Sequence, residues 1–379
     1  MADELKKSLE GVLVAESSLS YIDGDEGRLC YRGYDIDDLA RNASFEEVLY
    51  LLWHGELPDA RELEAFESAM ADERRLDDCV HRVVRDLAKA DEEPMAALRS
   101  VVSTLSAYDP DPDAGADADD EAANVRKGRR ITAKMPTALA AFTRIQNGDD
   151  PVAPRSDLDH AANFLYMLNG EVPDDVLAET FDTALVLHAD HGLNASTFSA
   201  TVTASTLADL HSAVTAAIGT LSGSLHGGAN QDVIEMLKEV DDSEKDAREW
   251  VKDALAESRR VPGFGHRVYD VKDPRAKILG ERSKTLGEAG EMRWYDYSTT
   301  IEKFLVEEKG LAPNVDFYSA STYYQMDIPV DIYTPIFAMS RAGGWVAHVL
   351  EQYTGNRLIR PRSRYVGPTD RSVPPLEDR

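Results

Sequence analysis

The chain has 379 residues, 43% of them hydrophobic and 29% charged, with 41 basic residues against 69 acidic ones and a formal net charge of −28. That balance leaves no basic stripe for a nucleic-acid backbone, no run of about 18 apolar residues is present to span a membrane, and two cysteines, Cys30 and Cys79, make no disulfide framework. The length exceeds one ordinary core, so two domains are expected, and the opening MADELKKSLEG lacks the order of a signal peptide, which predicts a cytoplasmic protein.

Residues 21–34, YIDGDEGRLCYRGY, place two glycine turns between short alternating stretches and predict a small hairpin. Residues 36–57 follow with helical spacing, and Ser44 ahead of Glu47 forms a capping-box pattern. Leu63, Phe66 and Met70, then Val80, Val83, Val84 and Leu87, continue the helical period. Residues 109–121, DPDPDAGADADDE, are the one low-complexity segment. Asp109, Asp111 and Asp113 alternate as calcium ligands would, but the glycine at 115 and the glutamate at 121 each fall one place late, which favours a solvated acidic loop.

Helices are predicted over 131–145, 158–168 and 176–190, the last stopped by Gly192. His188 and His191 stand at its end, three residues apart; without a HExxH pattern or a third ligand nearby they read as one packing and one ligand-facing histidine rather than half a zinc site. In the 33 residues from Leu193 to Leu225 the only formal charge is Asp209, which predicts a buried pair of small-residue helices. Further helical patterns cover 231–238, 246–257, 276–286 and 299–308. Strand-like alternation is sparse, so the fold is expected to be mainly α, with a small N-terminal β-hairpin.

Three stretches carry chemistry. In residues 223–230, GSLHGGAN, His226 precedes a glycine pair and a helical run, so it is expected near a helix N-terminus, where the dipole favours the neutral imidazole. Residues 259–275, RRVPGFGHRVYDVKDPR, join glycines, His266 and several cations in a Pro-bounded loop suited to an anionic ligand. In residues 314–321, NVDFYSAS, Asp316 lies between Val315 and Phe317, apolar neighbours that raise a carboxyl pKa by desolvation and make a general base.

Together these stretches resemble the citrate synthase family, which includes 2-methylcitrate synthases. The resemblance runs from SLSYIDGDEGRLCYRGYDIDDLA and FEEVLYLLWHGELP through HADHGLNASTF, GSLHGGAN, VPGFGHRVYDVKDPRA and VDFYSA to RAGGWVAHVLEQ and LIRPRSRYVGP. It implies condensation of acetyl-CoA with oxaloacetate, with no cofactor beyond the coenzyme A thioester substrate. Asp316 matches the base, His226 the donor to the enol oxygen, and His266 the histidine that polarises the oxaloacetate carbonyl. His191, Arg275 and Arg341 match oxaloacetate ligands. Arg360 matches an arginine reaching the partner's active site in a homodimer.

Val261, Pro262, Gly263, Phe264 and Gly265 match the loop that recognises the adenine end of CoA, and Arg74, in ERRL, matches a substrate-side arginine. Two positions depart from the family's prokaryotic pattern: Gly192, where glutamate is usual, and Asp270, where lysine is usual. The second leaves Arg267 or Lys272 to meet the CoA phosphates. The resemblance also implies a two-domain helical fold, with a large domain in two parts, 1–222 and 332–379, and a small domain over 223–331. A propionyl-CoA-using 2-methylcitrate synthase is the alternative, since one methylene changes binding by only roughly 1–3 kcal/mol. A non-catalytic binding relative would be free to lose the base, whereas Asp316 is present. Acid spread over the whole length points to a halophilic protein built for a salt-rich cytoplasm, where roughly molar salt shortens the screening length to about 3 Å.

Overall fold

The computed structural model describes residues 5–9, 11–111, 120–243 and 245–379. Among them are sixteen α-helices and one three-stranded antiparallel sheet. The sheet comes first: β1 (Ser20–Asp23), β2 (Arg28–Tyr31) and β3 (Tyr34–Asp35), with Tyr21 opposite Cys30 and Ile22 opposite Leu29. The helices follow in chain order: α1 (Ile36–Asn42), α2 (Phe45–His54), α3 (Ala60–Asp72), α4 (Asp78–Lys89), α5 (Pro94–Leu105), α6 (Glu121–Gln146), α7 (His160–Asn169) and α8 (Asp175–His188). Then come α9 (Ala195–Ala204), α10 (Leu210–Leu221), α11 (Ala229–Asp242), α12 (Ala247–Ala256), α13 (Pro274–Ala289), α14 (Arg293–Lys309), α15 (Val315–Tyr324) and α16 (Tyr333–Thr354).

Local chemistry accounts for most of the boundaries. The expected 36–57 helix is two helices, because Ala43 is extended and Ser44 begins a new one with its hydroxyl on the Glu47 N–H and the Glu47 carboxylate on its own. The 131–145 prediction is the inner part of the 26-residue α6, which runs through Pro136. The lone charge of the 193–225 segment is used locally, since Asp209 caps α10 with its carboxylate accepting from the Ser212 N–H at 3.1 Å. Helices α9 and α10 are the expected small-residue pair and pack on each other.

The axis of the molecule is α16, buried along most of its length and packed on α2, α5, α6, α8, α9 and α10. Its glycine pair makes this crossing possible: a Cβ on Gly344 would lie 2.4 Å from the Ala189 carbonyl oxygen, and one on Gly343 2.3 Å from Leu49. The backbone of α16 thus touches the segment carrying Asp190 and His191, and the Gly344 N–H donates to Ala189 at 3.0 Å.

The acidic stretch is not arranged for calcium where it is described. Asp109 takes both forks of Arg130 (2.6 and 3.0 Å), and Asp111 is bound by Arg126 and Arg130, so guanidinium groups occupy these carboxylates. Asp113 and Gly115 lie outside the described residues.

Candidate active site

His226 sits in the loop between α10 and α11, half-buried. Its Nε2 lies 3.1 Å from the backbone N of Ser196, in the first turn of α9, and 2.8 Å from the Ser196 hydroxyl. A backbone N–H can only donate, so Nε2 is the acceptor and the ring proton resides on Nδ1. Burial, with the Arg341 charge, pushes the imidazole down to about 4. The expectation of a helix N-terminus needs one correction: the ring is held by α9, reached through the tertiary fold, rather than by α11, which follows it in sequence. The Trp345 indole N–H donates to the Ser196 hydroxyl at 3.1 Å and braces this contact from α16.

His266 has the opposite tautomer. Its Nδ1 accepts from the N–H groups of Val268 (3.0 Å) and Tyr269 (3.2 Å), so Nε2 carries the proton, and burial beside Arg275 lowers its pKa. The ring stands 5.3 Å from that of buried His191, edge to face at 71°, and the Tyr269 hydroxyl lies 3.2 Å from His191 Nε2. His188 has different company. Its Nδ1 donates to the Ala184 carbonyl at 2.7 Å and its ring packs on Phe337 at 5.0 Å, with burial pushing it down to about 3. The two histidines therefore do not converge as metal ligands would, and His188 has the expected packing role.

The two arginines are buried in different electrostatic states. Arg275 forms a fork with Asp273 (3.0 and 2.7 Å), which also caps α13, and this pairing raises the guanidinium pKa. Arg341 donates from Nε to the His188 carbonyl at 2.6 Å and stacks over the Phe337 ring at 4.7 Å, with no ion-pair partner among the described residues. Burial pushes it down to about 10. Its charge also acts on His226, His191 and Asp316, and that of Arg275 on His191, His266 and Asp316, so the two arginines together make the positive centre of the site. The buried Asp190 carboxylate, held by His348, is the negative charge that acts on Arg341 most, but no carboxylate among the described residues lies within ion-pair distance of it, and a buried cation so placed suits an incoming anion.

Asp316 lies in the first turn of α15, capped by Asn314. Its carboxyl is raised to about 6 because burial outweighs the pull of Arg275 and Arg341, with Asp273 adding to the rise. The apolar flanks read from sequence are buried as expected. The 261–265 loop is tied to this same segment: Asn314 N–H donates to Gly263 (2.9 Å), Gly265 N–H to Ala312 (3.0 Å), and the Phe264 and Phe317 rings meet at 4.5 Å. Val261, Pro262, Gly263, Phe264 and Gly265 are thereby placed beside Asp316.

Four basic residues named from sequence stand differently. Lys272 pairs with Glu302 at 2.6 Å and lies over the Tyr318 ring at 5.0 Å, so a phosphate would have to compete with that carboxylate for it. Arg74 is buried, donating to the carbonyls of Arg155 (2.6 Å) and Leu158 (2.7 Å) near Glu46 and Asp159, so it is a structural strut and not a substrate-side group. Arg360 is exposed on the extended tail after α16, and Arg267 is exposed beside His266. Sequence reasoning passed over Ser196, Asp273, Tyr269 and Trp345. Of these, only Asp273 carries a local signal, an Asp–Pro helix start two residues ahead of the arginine it holds.

Comparison with known proteins agrees with this geometry. The model of the citrate synthase C-terminal domain matches residues 8–362. A citrate synthase of Haloferax volcanii is 68% identical over the whole of both chains. A 2-methylcitrate synthase of Mycobacterium tuberculosis is 41% identical, over 98% of this chain and 93% of its own. The crystal structure of Pyrobaculum aerophilum citrate synthase superposes with a TM-score of 0.92 at 44% identity, covering 98% of this chain and 94% of that one. The Thermoplasma acidophilum citrate synthase, solved with carboxymethyl coenzyme A and oxaloacetate, gives 0.90 at 32% identity over 99% of this chain and all of its own. On the family match and on full-length identity alike, this chain belongs to the citrate synthase family.

Proposed function

We propose that the protein condenses acetyl-CoA with oxaloacetate and water to give citrate and CoA, the entry step of the tricarboxylic acid cycle. The observation that carries the reading is Arg341, a buried guanidinium with no carboxylate in ion-pair contact among the described residues, set among two neutral histidines and a carboxyl whose pKa is raised. Oxaloacetate supplies the missing anion. Its two carboxylates are held by Arg275, Arg341 and His191, with Arg360 contributed by a second copy of the chain, and the His266 Nε2–H meets its ketone.

Asp316 takes a proton from the thioester methyl group, and the His226 Nδ1–H donates to the thioester oxygen as the enol develops. The enol carbon attacks the ketone as His266 protonates the new alkoxide, and water then cleaves the citryl thioester. The 261–265 loop receives the adenine end of CoA, with Arg267 toward its phosphates. Residues 223–331 form a small domain that closes on the larger one and excludes water during carbon–carbon bond formation. A homodimer is supported by the uncharged, half-exposed Phe198, Val202, Ala216 and Gly219 on α9 and α10, and a salt-rich cytoplasmic setting by the net charge of −28.

Free-thiol release from acetyl-CoA in molar potassium chloride, with and without oxaloacetate and with propionyl-CoA in parallel, tests the reading. Oxaloacetate-dependent release with acetyl-CoA preferred is the expected result. A propionyl-CoA preference moves the activity to 2-methylcitrate synthesis, and no release with either from a folded protein overturns it.

A further inference from the structure

The small N-terminal sheet touches both histidine-bearing segments of the site. On one side, the Ser20 hydroxyl donates to the Asp190 carboxylate, the Tyr31 hydroxyl donates to the Asp190 carbonyl at 2.7 Å, and the Asp190 N–H donates back to that hydroxyl at 3.2 Å. Ile22 lies against Gly192, its Cδ1 3.4 Å from the place a Cβ would take there. These contacts bracket His191 at both of its neighbours.

On the other side, the turn between β1 and β2 lies on the chain just past His266. Gly24 accepts from the Asp270 N–H at 3.0 Å, and a Cβ on Gly24 would stand 1.9 Å from the Val268 carbonyl oxygen. A Cβ on Gly27 would stand 2.7 Å from Val271 Cγ2 and 3.2 Å from the Lys272 carbonyl. Val268 is the residue whose own N–H holds His266 Nδ1. One short hairpin therefore spans from the His191 segment to the His266 segment, and the two rings stand 5.3 Å apart beneath it. Gly192 and Asp270, the two departures from the family motif, both lie under this hairpin.

We propose that the β1–β2 hairpin is a positioning clasp, in which Ile22 and Gly24 set the spacing of His191 and His266 so that both rings meet one oxaloacetate molecule. This rests on the reading of those histidines as oxaloacetate contacts. Neither Gly24 nor Ile22 touches the reacting atoms. They act through the backbone that orients the imidazoles, where a displacement of about 1 Å is worth about 10²-fold in rate.

The test compares glycines of the same sheet in the full-length protein in molar potassium chloride. Gly24→Ala adds a methyl group where only the Val268 carbonyl has room. Gly33→Ala is the control: Gly33 has a φ of 90° in the next turn, and nothing lies within 4 Å of its added Cβ. Oxaloacetate binding is read by calorimetry, independently of turnover, together with kcat and separate KM values for the two substrates. The expected result for Gly24→Ala is oxaloacetate binding weakened about tenfold or more and kcat lowered about tenfold or more, with the acetyl-CoA KM within about twofold and the circular dichroism unchanged. Gly33→Ala stays within about twofold throughout.

Should Gly24→Ala not fold, Gly27→Ala with and without Val271→Ala answers the same question. Gly27→Ala weakens oxaloacetate binding, and shortening Val271 restores it to the level of Gly33→Ala. Normal oxaloacetate binding and turnover in a folded Gly24→Ala protein, equal losses in Gly33→Ala, or no rescue by Val271→Ala would each overturn the clasp. A failure of the functional reading shows in the unaltered protein, which would then neither bind oxaloacetate nor release thiol; a failure of the clasp shows only in the variants.

Discussion

The backbone N–H of Ser196 meets Nε2 of His226 at 3.1 Å, and this contact decides which nitrogen of the catalytic imidazole holds the proton. With Nε2 occupied by an obligate donor, only Nδ1 offers a proton to a developing oxyanion. His226→Ala is expected to lower kcat by about 10²–10³-fold, the usual cost of removing one such donor. Ser196→Ala retains the N–H and loses only the hydroxyl, so a drop of about tenfold or less is expected, with the acetyl-CoA KM little changed. Steady-state kinetics separate the two, and equal losses would place the tautomer in the hydroxyl instead.

The proposed base, Asp316, can act only when ionised, and its pKa is raised to about 6. The rate constant kcat/KM for acetyl-CoA is therefore expected to fall with one proton's dependence as the pH drops below about 6. Above that it is level, because His226, at about 4, stays neutral. The stability effect has its own sign: the folded pKa exceeds the ordinary 3.8, so the ionised carboxylate costs stability above pH 6, and that cost vanishes on acidification. Asp316→Asn should lose about 10²–10⁴-fold in kcat while melting no lower than the unaltered protein at pH 8. A pH profile with its limb near 4 would remove Asp316 from the role of base.

The two site arginines should part company when truncated. Arg341 has no ion-pair partner among the described residues, so Arg341→Gln removes a desolvated charge together with its bond to the His188 carbonyl and its longer-range pull on Asp190. Oxaloacetate binding should weaken by about 1.5–3 kcal/mol, with the melting temperature lowered less than in Arg275→Gln. Arg275→Gln instead strands Asp273, whose side chain is fully buried, and should destabilise the fold by about 3–5 kcal/mol. Thermal melts beside calorimetric titrations check both, and the reverse order of stabilities would contradict the pairing.

A formal charge of −28 repels itself across the whole surface. Lowering potassium chloride from about 1 M to 0.1 M lengthens the screening distance from about 3 to about 10 Å, so melting temperature and activity should both fall. A melting temperature that does not change with salt would show that the acidity has another purpose.

Much of the local environment of the candidate site was legible residue by residue. Asp316 announced itself through Val315 and Phe317, because desolvation by chain neighbours is a local property. The Ser44–Glu47 capping box was equally local, and it is present as expected. Lys272 and Arg74 have partners that the sequence did not announce, for a single reason: a long cation takes whatever acceptor the fold brings near. Glu302 lies on α14, about 30 residues beyond the loop that carries Lys272, and the carbonyls of Arg155 and Leu158 lie far along the chain from Arg74. Helix α16 was not separated from its surroundings, since a helix apolar on nearly every face has no amphipathic period to detect. Helix α5, buried at Pro94, Met95, Ala97, Leu98, Val101, Val102 and Leu105 with Arg99 and Ser103 exposed, carries a helical period that was passed over.

By itself, the sequence determined the helical class, the N-terminal hairpin and the Ser44 capping box, and it supplied the residues proposed as acid, base and anion-binding groups, all of which depend on residue type and on spacing over a turn or two. Only the tertiary structure decided their electrical states. Whether His226 donates from Nδ1, whether Arg341 stays out of ion-pair contact, and how far apart His191 and His266 stand depend on contacts between segments tens to hundreds of residues apart. Burial and hydrogen bonding set a proton's place, and both are properties of packed surfaces rather than of the order of residues along the chain.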